Sequence, residues 1–389
     1  MSKTMPKSSA TSLSVVIKPD LLRWACERAR LDLAQLERRF PRLAEWEAGK
    51  LRPTAKQLER FAHATHTPFG YFFLSEPPIE QVPIPDFRTI SDQSISHPSA
   101  DLLDTIYLCQ QRQEWYRGFI KSEGVPRPTI GFANASDDVV STAARMRQAL
   151  NFDITIRQNF TTWAEALRHF IGQVDDSGVL VMVNGVVGNN THRKLRPAEF
   201  RGFALSDDTA PLIFINGADS KSAQMFTLAH ELAHIWLGET ALDDVDPSSM
   251  IHGTEATCNS IAAEFLVPLN LITQYYNEGE SLRAALDRLA RQFKVSTLVI
   301  LRRLREMGSL TEPQFWEAYN AEIGRLAALP AGSGGNFYLT QGARIGKRFA
   351  RAVIASTLEG ETLYRDAFHL LGFSKIETFQ QLSQSLGVA

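Results

Sequence analysis

The chain has 389 residues, 41 Lys and Arg against 43 Asp and Glu, a formal net charge of -2, and 44% hydrophobic residues. This fits a globular protein of two or three domains with a sizeable core, and excludes a chain built wholly around nucleic acid. Cys26, Cys109 and Cys258 form no CxxC pair, the start MSKTMPKSSATS lacks a signal peptide's apolar stretch, and no segment is uncharged and apolar enough to span a membrane, so a reducing, cytoplasmic setting is expected.

Residues 1–17 read as a flexible tail. Residues 18–75 carry a compact helical pattern with apolar positions Leu22, Ala25, Leu33, Leu36, Phe40, Leu43, Trp46, Leu58 and Phe61, and Pro53-Thr54 suits the start of its last helix. The ending Trp46-Glu47-Ala-Gly49-Lys50-Leu-Arg52-Pro53 resembles the Xre family of helix-turn-helix repressors. Eleven Lys and Arg against seven Asp and Glu between Lys18 and Arg60 give a local net charge of +4. The resemblance makes Arg38, Arg39, Arg42, Lys50 and Arg52 candidates for phosphate contacts. Between Leu36 and Trp46, however, ERRFPRLAE replaces the family's turn glycine and serine-rich helix start. A helical module used for protein contacts is the equal alternative.

Residues 76–100, with Pro77, Pro78, Pro83, Pro85 and Pro98, read as an extended linker. Residues 101–328 form the next domain. Within it GVLVMVNGVV, residues 178–187, is rich in β-branched residues and predicts one or two strands, and PLIFIN, residues 211–216, predicts another. Residues 219–237 have helical spacing with Gly238 at the stop position.

That helix contains His230-Glu231-Leu-Ala-His234, an HExxH motif. Positions i and i+4 share one helix face, so both imidazoles can reach a single metal ion. Zinc accepts histidine nitrogen, and a catalytic zinc site needs three protein ligands and one open position. Glu231 stands where it can take a proton from water at that position. The bland reading is two core or surface histidines on an amphipathic helix.

For the third ligand, residues 254–267 predict a second helix ended by Pro268. Glu255, Asn259, Ala262 and Leu266 follow helical spacing, and the small residues permit close approach to the first helix. Glu255 is the leading candidate, with Asn259 one turn on supplying a hydrogen bond behind the ligands. His252 and Glu264 are rivals, and Cys258 reads as a small buried residue.

HExxH, Glu255xxCys258Asn259 and AAEFLVP together resemble the ImmA/IrrE family of metallopeptidases, over roughly Val179 to Pro268. The resemblance implies a zincin- or gluzincin-like core in which His230, His234 and Glu255 hold zinc and Glu231 is the general base. It also implies that the strand Leu212 to Asn216 aligns a substrate by β-addition. The expected fold class is α+β and multidomain, mostly helical, with a small sheet beside the HExxH helix.

Residues 281–308 form a second helix-turn-helix-like piece, with Ser296 as N-cap and a net charge of +5 from seven Arg and Lys against Asp287 and Glu306. Arg302 and Arg303 are its candidate DNA contacts, and packing on the catalytic helices is the alternative. LPAGSGGN at 329–336 is a joint, and residues 329–389 read as a C-terminal α/β segment with Phe349, Val353, Leu358 and Leu370 as core. It resembles the tail of long Xre-fused members of the peptidase family.

Two functions stand against each other. One is a zinc endopeptidase acting on a regulatory protein such as an Xre-type repressor. The other is a DNA-binding regulator or antitoxin, partnered by a toxin, whose metal site is structural or regulatory. HExxH favours the first, because structural zinc sites close all four positions.

Overall fold

The computed structural model describes residues 14–31, 33–85, 98–124, 128, 133, 137–243, 253–328 and 344–388. It divides into two compact units, one of residues 1–83 and 95–104, the other of 84–94 and 105–389. No helix among the described residues is long and apolar enough to cross a membrane.

The first unit is built from α1 (Pro19–Ala29), α2 (Leu33–Arg39), α3 (Leu43–Glu47) and α4 (Ala55–Ala64). Pro opens α1 and Arg30 closes it in the left-handed region. Thr54 and Gln57 cap α4 reciprocally: Thr54 N–H donates to Gln57 Oε1 at 2.8 Å and Gln57 N–H to Thr54 Oγ1 at 3.2 Å. Phe61 is the centre of the core, edge-on to Phe40 at 5.4 Å and to Trp46 at 6.4 Å. α3, the helix that the Xre resemblance would put in the recognition position, is only five residues long, and Gly49 with φ 68° ends its turn. Two sequence expectations change here. The end of the tail is held, since Val15 N–H donates to Pro53 O at 2.8 Å and Ser14 bridges Thr54. The start of the proline-rich stretch is anchored too: Glu80 Oε1 accepts from Arg28 Nη2 at 2.9 Å, and Arg28 Nη1 donates to His66 O at 2.8 Å.

The second unit centres on a four-stranded sheet of order β1 (Leu180–Asn184), β5 (Leu212–Asn216), β4 (Gly202–Leu205), β6 (Ala241–Asp243). β1 and β5 are parallel, while β4 runs antiparallel to both β5 and β6. A small hairpin, β2 (Val186–Val187) with β3 (Asn190–Lys194), follows β1. One face presents Val181, Ile213, Ile215 and Ala204 to a core shared with α8 (Trp163–Asp176), α9 (Lys221–Leu237) and α10 (Thr254–Leu266). On the other, Phe203 stacks on Phe214 at 5.0 Å. The long helix α5 (Ala100–Glu123) ties to the sheet through Gln113, whose Nε2 donates to Leu205 O and Ala210 O at 2.9 Å each.

Because β5 is buried along its whole length and paired on both sides, it has no free edge, and β-addition of a substrate to Leu212–Asn216 is ruled out.

Around α10 lie α6 (Val139–Ala149) and the short α7 (Ile154–Arg157). Arg147 Nη1 donates to Glu264 O at 2.7 Å and Arg157 Nη1 to Leu266 O at 3.2 Å, so two guanidinium groups cap the helix's negative end. α11 (Leu269–Tyr275), α12 (Leu282–Phe293), α13 (Thr297–Glu306) and α14 (Glu312–Ala327) complete this core. Ser296 caps α13, its Oγ accepting from Val299 N–H at 3.3 Å, and Lys294 makes the turn in the left-handed region. The α12–α13 pair is packed inside the domain: Leu286, Leu289, Ile300 and Leu304 belong to the main core, and α14 lies along α13.

Among its described residues, 344–388, the C-terminal segment contains the helices α15 (Lys347–Leu358), α16 (Tyr364–Leu371) and α17 (Ile376–Leu386) and no strand. Its apolar residues recur at helical spacing, which buries Phe349, Val353, Leu370 and Leu371 together. Leu358, expected in that core, ends α15 with 51% of its surface exposed. Arg348 Nε donates to Asp175 O at 2.7 Å, and Arg112 Nε on α5 to Leu370 O at 3.0 Å. Residues 329–336 lie outside the described residues.

Candidate metal centre

α9 begins where sequence chemistry starts a helix: Ser220 Oγ accepts from Ala223 N–H at 3.2 Å, and Gly238 closes the other end with φ 74°. Between them every residue from Gln224 to Trp236 is buried. An all-apolar helix would suit that position, so His230, Glu231 and His234 are costly there unless they converge on a partner.

They do converge, with Glu255 from the first turn of α10. His230 Nε2 lies 3.2 Å from Glu255 Oε2, His234 Nε2 lies 3.2 Å from Glu255 Oε1, and the two Nε2 atoms are 3.0 Å apart. A tetrahedral metal with bonds near 2.0–2.2 Å sets its donors about 3.3–3.6 Å apart, and the two imidazoles lie at about that spacing from each other and each from one carboxylate oxygen of Glu255. The donor chemistry agrees as well. Two imidazole lone pairs and a carboxylate facing one point repel each other unless a cation or protons sit between them. Among the described residues these three are the side chains grouped closely enough to hold a metal, which leaves one coordination position open.

Electrostatics follow the same geometry. Burial would push the Glu255 carboxyl up, but hydrogen bonds and charge from His230 and His234 outweigh it and hold the group down to about 2. Burial would lower His234, yet Cys258, Glu239 and Glu255 together hold it well above its ordinary value. Cys258 is a free, fully buried thiol facing this histidine.

Glu231 turns toward the sheet. A Cβ placed on Gly202 of β4 would stand 2.8 Å from Glu231 Oε1, so the bare backbone of Gly202 makes the room for this carboxylate. Asn259, on α10 one turn beyond Glu255, is buried, and its Oδ1 has no hydrogen-bond partner among the described residues.

The remaining candidates separate. Glu264 makes a buried ion pair with Arg303 and accepts from Leu269 N–H at 3.1 Å, so its contacts are structural. Arg303, expected to face DNA, is instead buried between Glu264 and Glu306 and is not available to phosphate. Arg302 is half-buried and makes a contact of its own. Arg38, Arg39, Arg42, Lys50 and Arg52 are all exposed on the first unit. His252 lies outside the described residues. Gly202 and Glu239 are residues that sequence reasoning passed over. A lone glycine in an apolar strand and an acid just after the helix-ending glycine were their only signals.

No curated protein matches the chain. Residues 345–385 match the model of a domain of unknown function. Residues 174–305, which carry the whole sheet and both ligand-bearing helices, match the IrrE N-terminal-like domain of the peptidase M78 family, and in this segment the chain is similar to the ImmA/IrrE metallopeptidases.

Proposed function

We propose that this protein is a zinc-dependent endopeptidase that cleaves a regulatory protein, such as an Xre-type repressor. The observation that carries the reading is the triangle of His230, His234 and Glu255, with a fourth position open and Glu231 on the same helix. The match of residues 174–305 to a peptidase family supports it.

A bound zinc ion supplies Lewis-acid polarisation of a peptide carbonyl and makes water more acidic. The chain's own residues do the rest. The burial of His230, His234 and Glu255 keeps bulk water off the donors and strengthens each electrostatic contact. Glu231 accepts a proton from the attacking water and passes it to the amide nitrogen as the C–N bond breaks. The water oxygen ends on the carbonyl carbon, giving a new carboxylate and a new amine, and Glu231 returns to its starting form. Gly202, by leaving space beside Oε1, lets the Glu231 carboxylate lie against the sheet.

The test is intact-mass analysis of candidate repressors, including proteins from neighbouring genes, incubated with zinc-loaded wild type or Glu231→Gln. A defined cut made by wild type and lost in Glu231→Gln, with zinc retained, is the expected result. Cutting at an undiminished rate by Glu231→Gln overturns its role as base.

A second reading, a DNA-binding regulator or antitoxin acting with a toxin partner, is favoured by one feature: the exposed Arg38, Arg39, Arg42, Lys50 and Arg52 of the first unit. On this reading Arg38→Ala weakens duplex binding across sequences and lowers its salt dependence by about one counterion, while Glu231→Gln leaves binding unchanged.

A further inference from the structure

The donor triangle engages the Nε2 side of both histidines. The other side of the His234 ring meets the turn that ends α9. Gly238, in the left-handed region, directs the chain back so that Glu239 N–H donates to His234 O at 2.9 Å. This folds the Glu239 side chain along the helix. Its Oε2 is buried 3.8 Å from His234 Nδ1, and its Oε1 accepts from Thr254 Oγ1 at 3.4 Å. Thr254 opens α10 and is the neighbour of Glu255. One carboxylate thus faces a donor on the first helix and is tied to the start of the second.

We propose that Glu239 is the positioning residue of the metal centre. It accepts the Nδ1–H of His234, which fixes the tautomer whose Nε2 lone pair points at the metal. Through Thr254 it also sets the first turn of α10, and so the height of Glu255. The proposal rests on the reading that His230, His234 and Glu255 hold zinc.

The chemistry favours this acceptor. A histidine that binds a metal through one ring nitrogen donates the other N–H to a carboxylate, carbonyl or water, which orients the ring and raises its basicity. The rival at His234 is Cys258, but sulfur is a weaker hydrogen-bond acceptor than a carboxylate oxygen. The separation of 3.8 Å closes to a hydrogen bond with a shift of about 1 Å, within the reach of a side chain that is one-third exposed.

The experiment uses the full-length, metal-free protein, titrated with Zn2+ against a chromophoric chelator and with Co2+ by its visible absorption. Wild type is expected to bind one equivalent. Glu239→Ala is expected to bind about 10–100-fold more weakly and to alter the Co2+ spectrum, while the metal-free thermal midpoint stays where it was. Glu239→Gln, which keeps an acceptor oxygen, recovers most of the affinity, and Cys258→Ala stays near wild type. Wild-type affinity in Glu239→Ala overturns the proposal and leaves the metal site standing. So does the same loss in Cys258→Ala, or a loss that Gln does not recover and that tracks a fall in the metal-free midpoint. Failure of wild type itself to bind either metal overturns the metal-site reading, and this one with it.

Discussion

Gly202 and Glu231, on a strand and a helix that pack face to face, leave no room for a methyl group between them. A Cβ on residue 202 would lie 2.8 Å from Glu231 Oε1, 2.6 Å from Thr227 Cγ2 and 3.0 Å from Phe214 O. The first neighbour can swing away, but the carbonyl belongs to the adjacent strand and cannot.

Gly202→Ala is therefore expected to displace the Glu231 carboxylate while sparing the donor triangle. Misplacing a catalytic group by about 1 Å costs on the order of a hundredfold in turnover. Overpacking adds a stability loss of about 1–3 kcal/mol. Steady-state cleavage beside a zinc titration checks this: turnover falls, metal stoichiometry does not. Undiminished turnover in the alanine variant would show that the base is positioned by something else.

Glu264 and Arg303 form a buried pair between α10 and α13, with side chains 6% and 5% exposed. Removing one partner strands a charge, so Glu264→Ala is expected to cost about 3–5 kcal/mol in denaturant unfolding. Replacing both residues with methionine is expected to recover most of that loss, since two apolar side chains leave no buried charge. If Glu264 instead contacted substrate, the single variant would keep its stability and lose cleavage.

Asp175, at the end of α8, accepts from Arg348 N–H of α15 at 3.2 Å. Burial pushes its carboxyl up from an ordinary 3.8 to about 6, against the opposing pull of Arg348 and Arg351 and with a small addition from Asp176. The folded protein thus holds this proton more tightly than the unfolded chain. The resulting stability is fully present below pH 3.8 and is lost as pH rises through about 6. Asp175→Asn stays neutral throughout. It is expected to be more stable than wild type by about 1–2 kcal/mol at pH 7.5, after allowing for partial solvent access, and equal to it near pH 4. Thermal unfolding at the two pH values measures the difference. A less stable Asn variant at pH 7.5 would mean that attraction to Arg348 outweighs the burial of the charge.

Which parts of this protein could be read from its sequence depends on the range of the interactions involved. Ser220, Thr54 and Ser296 start helices, and Gly238 stops one, by hydrogen bonds and backbone torsions that reach no further than a few residues. The i, i+4 repeat of a helix likewise puts His230 and His234 on one face whatever surrounds them. The apolar run 212–216 made a strand for the same local reason, yet nothing local told whether that strand would be an edge. Tertiary pairing made it central and closed it to substrate. Spacing and resemblance already favoured Glu255 over Glu264 as companion to the histidines, but since both sit on one helix nothing local showed where the second would go. Packing of α10 against α9 brings the first to the triangle, and an ion pair with Arg303 of α13 takes up the second. The same packing turned a basic residue that read as a DNA contact into a buried ion-pair partner. Gly202 and Glu239 act on residues 29 and 5 positions away through space and through a turn, and neither relation leaves a periodic trace. Local torsions and helical repeat therefore fixed which residues could carry the chemistry, and only the packing of strand on helix and helix on helix decided which of them meet.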